Sequence, residues 1–178
     1  MTIADAQSDV RRVYRGGYTG PLVSAIVWAL ANAVYQFGSP SAAMATLFVG
    51  GMLIFPLSAA VLKITTGHGF LPAGHPSIGL AMQSAFTVPF GLLVAVALGS
   101  YEPVLFFPAS LIIVGAHYFV FVSLYGMKVF AVLGGVLVTL GTTGMFLVPS
   151  LGAFGGWIGA TVLLIFSPIV YRGAVSRD

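Results

Sequence analysis

The sequence predicts an all-α membrane bundle of six transmembrane helices. Two observations predict it. Hydrophobic residues make up 58% of the 178-residue chain and charged residues only 6%, against about 25% charged in soluble domains. So few charges leave too little polar surface to keep a fold of this size in water, and lipid must solvate most of it. In addition, the Lys and Arg residues sit beside alternate breaks between apolar stretches, the pattern expected when basic loops resist translocation.

A helix needs about 20 apolar residues to cross the hydrocarbon core. Six stretches qualify: 21–38, 41–62, 77–99, 103–126, 127–148 and 152–171. Turn chemistry separates them at Gly38-Ser39-Pro40, Lys63 to Pro76, Ser100 to Pro103, Gly126 with Lys128, and Pro149-Ser150. Spans four and five are nearly continuous, and their division rests on Gly126 and on Lys128, a charge too costly for mid-bilayer.

Placing the N-terminus inside puts Arg11, Arg12, Arg15, Lys63, Lys128, Arg172 and Arg177 on one side, leaving the outer loops with Glu102 and no basic residue. A five-span or seven-span count breaks this agreement. Residues 1–19 are read as a cytoplasmic amphipathic segment, with Ile3, Val10, Val13 and Tyr14 on one face, lying at the membrane surface. Residues 20–172 form the six-helix domain and 173–178 a cytoplasmic tail. Asp5 and Asp9 precede the arginines, so the segment is not a secretory signal.

Lipid supplies no hydrophobic reason for helices to associate, so small residues must let backbones approach. The chain has 23 glycines. Gly152 and Gly156, and Gly155 and Gly159, form two overlapping small-xxx-small faces at the start of span six. Pro56, Pro89 and Pro108 fall inside spans and Pro168 near the end of span six; each frees a carbonyl four residues earlier. PSIG at 76–79 and PSLG at 149–152, and the pairs Gly50-Gly51 and Gly134-Gly135, recur in matching halves. Such recurrence is what a weak 3+3 inverted repeat leaves when indels separate its halves.

Ionisable residues inside spans mark functional sites by default. His117 is the one deep in a span, near the middle of span four, with Ser110 on its face. With no Asp or Glu expected in the bilayer, its ring is expected neutral. Trp28, Asn32 and Gln36 form one stripe; Gly79, Gln83, Thr87 and Gly91 another; Thr139, Thr142 and Thr143 cluster in span five. Polar stripes are expected to face the interior, because an amide in lipid is unsatisfied. His117, Tyr118, Asn32, Gln83, Trp28 and Thr142 are therefore the candidate substrate-binding residues. The competing account has these groups hydrogen-bonding one another to fix helix register, at about 0.6 kcal/mol each.

Other chemistry finds little support. There is no cysteine, so disulfides and thiolate sites are excluded. The net charge of +3 is spread thinly and makes no nucleic-acid footprint. His68 and His75 share a loop without carboxylates, short of the three or four ligands zinc needs. A haem would need a second axial histidine in a span. No carboxylate pair or phosphate-binding loop is present. No cofactor, metal or enzymatic activity is expected.

The stretch VGAHYFVFVSLYGMKVF, with FPL in span two and Lys63 at its end, resembles a family of small bacterial integral-membrane proteins of unknown function. The matching residues are Gly115, Ala116, His117, Tyr125 and Lys128, within roughly residues 48–130; the loop after Lys63 departs from the pattern. The resemblance implies a bacterial inner-membrane setting and interest in His117, and it carries no activity.

The leading functional expectation is a small transporter or channel-like protein binding a small solute between kinked helices. Midplane polar groups beside broken helices are the usual mark of such a site. The alternative is a structural or regulatory membrane subunit with no transported substrate. Six short spans are few for a transporter, which leaves room for a homodimer in the membrane lipid.

Overall fold

A computed structural model describes residues 1–67 and 70–176; His68 and Arg177 lie outside the described residues. The described residues form seven α-helices in order: α1 (Ile3–Tyr14), α2 (Thr19–Phe37), α3 (Pro40–Thr66), α4 (Ser77–Tyr101), α5 (Phe106–Tyr125), α6 (Val129–Thr142) and α7 (Gly155–Val175). The described residues contain no strand. Among the described residues six helical stretches are long and apolar enough to span a membrane, and they match the six expected spans. The break at Gly126 is real: this glycine takes a left-handed φ of 67°, which ends α5. Span five is α-helical only to Thr142; a wide turn over Thr143–Leu147 and a 3-10 stretch over Pro149–Phe154 complete the connection to α7.

Each sequence signal finds its local cause. Ser39 caps α3 by accepting from the Ala42 N–H, with Pro40 at the first helical position. Pro56, Pro89 and Pro168 lie inside helices. Pro108 does not break one. It sits in the first turn of α5, where its missing N–H has no partner to lose.

The six long helices close a ring in chain order. The broadest interfaces join α5 to α6 and α2 to α3; α4 with α5 and α7 with α2 come next; α3 with α4 and α6 with α7 touch least. Exchanging α2, α3 and α4 for α5, α6 and α7 reproduces this order of interfaces. The first glycine of each pair lies at an equivalent interface. A methyl on Gly50 of α3 would meet Val27 of α2 at 2.6 Å, and one on Gly134 of α6 would meet the Gly115 carbonyl of α5 at 2.7 Å.

Both small-residue faces of span six are used. Gly155 is filled by Phe107, Gly156 by Asn32 and Gly159 by Trp28, while Gly152 lies against the Val104 carbonyl. The core between α2, α5, α6 and α7 holds Trp28, Phe106, Phe107, Leu111, Phe130, Leu133, Leu137 and Leu163, all essentially inaccessible. The outer faces of α3 and α4 carry exposed Met52, Phe55, Phe86 and Phe90, as expected of surfaces solvated by lipid.

The N-terminal segment is helical and docked on the bundle. Val10 is wholly buried and Ile3 is exposed, while Val13 and Tyr14, on the same face as Val10, pack against the core. The turn after α1 explains the docking. Arg15, Gly16 and Gly17 are all left-handed, with φ of 49°, 71° and 81°. Gly16 lies against the Ala174 methyl and Gly17 against the Tyr125 ring, positions where a side chain has no room. This reversal lays α1 across the end of the bundle that carries the described basic residues.

Candidate functional site

His117 is set on α5 eight residues before its end, and Ser84 on antiparallel α4 seven residues after its start. At 1.5 Å per residue both lie about 11 Å from the basic end. At this shared depth the Ser84 hydroxyl and His117 Nδ1 are 2.8 Å apart. The ring packs edge-on against Phe121 at 4.6 Å between centroids and against Tyr118 at 5.8 Å. Which of the two polar atoms donates follows from the tautomer. Tyr118 is buried and stacks parallel to Phe130 of α6, so this cluster joins three consecutive helices.

Asn32 makes a different junction. Its Nδ2 donates to the Ala153 carbonyl and its Oδ1 accepts from the Trp157 N–H, each at 3.1 Å. The residue before α7, Phe154, offers no side-chain cap. Asn32 thus supplies from α2 the acceptor that an N-cap residue normally provides. Trp28, one turn earlier, is 1% exposed and packs on Phe107 and Gly159. Gln36 continues the stripe by accepting from Trp157 Nε1 at 3.3 Å.

Two expected members stand apart. Gln83 and Thr142 are exposed on the outer faces of α4 and α6, as are Thr87 and Thr139. The expected convergence of Asn32, Gln83, His117 and the threonines on one interior point does not occur. The physical reason is local. Thr87 donates to the Gln83 carbonyl of its own helix at 2.8 Å, which satisfies a hydroxyl without a neighbour. Gln83 lies six residues from the start of α4, within reach of the polar interface for a long side chain. Ser84, its neighbour, is the residue that turns inward. Matching its depth with His117 on the next, antiparallel helix is the signal that would have found it.

A model of a family of unknown function, DUF7010, matches residues 3–173. The chain belongs to that family. No curated protein and no solved structure matches it. The DUF7010 match takes in α1 together with the six spans, so the docked helix falls within the family unit.

This DUF7010 chain carries a second polar cluster, at the basic end. Gln7 Nε2 donates to the Ser123 carbonyl and Arg11 Nη1 to the Tyr125 carbonyl, both at 2.7 Å. These are carbonyls of the last turn of α5, which lack partners within their own helix. A cation there also meets the negative end of the helix dipole. The buried His75 accepts at Nδ1 from the Ser77 N–H at 3.2 Å. A neutral ring therefore carries its proton on Nε2, which faces Asp9 Oδ2 at 3.7 Å. Burial raises the Tyr14 hydroxyl above its usual range, while a contact from the Leu71 backbone lowers it. The start of α1 is closed by a capping box between Thr2 and Asp5. Hydrogen bonds from the Thr2 backbone and then its side chain hold the Asp5 carboxyl below its ordinary value.

Proposed function

We propose that the protein is a non-enzymatic, multi-pass component of the bacterial inner membrane, with both termini cytoplasmic, acting as a structural or regulatory subunit. The bond between His117 and Ser84 carries this reading. A histidine paired with the neighbouring helix and packed edge-on against Phe121 has the partners that a register-fixing group requires. Asn32 is likewise committed, both ends of its amide being bonded to the start of α7. The basic residues at one end support the orientation.

Because the chain has no cysteine, each position can be labelled singly without removing a native thiol. H117C and N32C variants, treated in membranes with a membrane-impermeant thiol reagent, are expected to stay unmodified while E102C reacts from the outside. Rapid modification at both interior positions would sink the subunit reading.

One observation favours a transporter instead. The two halves pack alike, and Pro56, Pro89 and Pro168 lie inside their helices, a plan compatible with rocking about a central site. That reading expects the same thiol labels to become reachable from one side and then the other under an imposed ion gradient.

A further inference from the structure

At the basic end, a cleft of about 490 Å³ opens between α3 and α7, with Arg15, Tyr18, Thr65, Thr66 and Tyr171 among its walls. We propose that it binds the headgroup of an anionic phospholipid. Arg15 supplies the charge. Its guanidinium is exposed and has no hydrogen-bond or ion-pair partner among the described residues, and its left-handed backbone turns it out of α1. Tyr18 and Tyr171 meet edge to face at 5.1 Å, forming an amphipathic wall of the kind that suits a membrane interface. Thr65 and Thr66 face them from the end of α3.

The cleft does not end in protein. Leu22, Ile26 and Leu30 follow Tyr18 along the outward face of α2 at steps of four, and Ile26 and Leu30 are 65% and 56% exposed. Twelve residues of helix span about 18 Å, close to the roughly 15 Å of one hydrocarbon leaflet. A pocket that combines an exposed arginine, hydroxyls and aromatic rings above an apolar strip of that length fits a phosphate headgroup above an acyl chain. A free phosphate would use the pocket and ignore the strip.

The test is native mass spectrometry of the full chain, titrated with dioleoyl phosphatidylglycerol or dioleoyl phosphatidylcholine. The anionic lipid is expected to bind in preference, and R15Q to weaken it about five-fold. R12Q is the control: Arg12 is exposed and already paired with Asp9 at 2.6 Å, and its loss should leave binding unchanged. If R15Q does not fold, Y171F, which keeps the ring and removes the hydroxyl, is expected to lower affinity in the same assay. Equal weakening by R12Q and R15Q, no preference for the anionic lipid, or full competition by millimolar inorganic phosphate would each overturn the proposal.

Discussion

The Arg11 guanidinium donates to the Tyr125 carbonyl at 2.7 Å, joining residues 114 apart in sequence. It ties a helix outside the spans to the end of α5. With Gln7 on Ser123, it gives α1 two polar anchors around the buried Val10. Replacing Arg11 by Gln should loosen this arrangement without unfolding the spans. The expected result is a marked rise in hydrogen exchange of residues 3–14 while the amides of α5 and α6 stay protected. Unchanged exchange in α1 would show that Val10 alone holds the helix.

Adjacent glycines in α6 should differ sharply. A methyl on Gly134 meets the Gly115 carbonyl at 2.7 Å, whereas one on Gly135 meets nothing within 4 Å. Gly134→Ala is expected to destabilise by about 1–3 kcal/mol through overpacking. Gly135→Ala should be neutral or stabilising by up to about 1 kcal/mol. Thermal unfolding of the two variants in the same detergent decides it, and equal melting points would contradict the close approach of α5 and α6.

Asn32→Ala removes the acceptor for the Trp157 N–H and the donor for the Ala153 carbonyl. Leaving these part-buried backbone groups unpaired costs less than the roughly 1–3 kcal/mol of fully buried ones. The loss should concentrate at the start of α7, read as faster exchange over residues 153–158. Asn32→Asp keeps the acceptor and should protect the Trp157 amide better than alanine does.

The capping box predicts an acid response of α1. The Asp5 carboxyl is held below its ordinary value of 3.8 by hydrogen bonds from Thr2. A depressed carboxyl contributes its stabilisation above the unfolded value and loses it as pH falls through the folded one. The amides of residues 3–6 should therefore exchange faster, after correction for intrinsic rates, as pH drops below about 3.8. D5N should remove this pH dependence.

The six spans were legible in the sequence because they rest on strong local signals, namely hydropathy over a bilayer length and basic residues at one end. The glycine faces of α7 were legible too, since lipid leaves small residues as the way to close contact. The direction of the polar side chains was not. Gln83 and Ser84 are neighbours that point to different surroundings, and the rotation of α4 is set by its partners rather than by its own pattern. His117 was visible as an oddity, but its partner lies 33 residues away and becomes apparent only when the two helices are aligned by depth. The docking of α1 was hidden for a similar reason: its partners are carbonyls, which sequence does not distinguish.

The left-handed turn at Arg15–Gly17 has a consequence for biosynthesis. α1 leaves the ribosome before the spans, yet the groups it rests on come far later: Ser123 and Tyr125 at the end of α5, and, through Gly16, Ala174 near the end of α7. A helix made before the six spans must therefore settle after them. It waits through the insertion of every span and finds its seat only when α5 and α7 stand side by side. A seated α1 is thus a record of completed assembly, and a chain whose α7 failed to insert would keep that helix available to a protease or a chaperone.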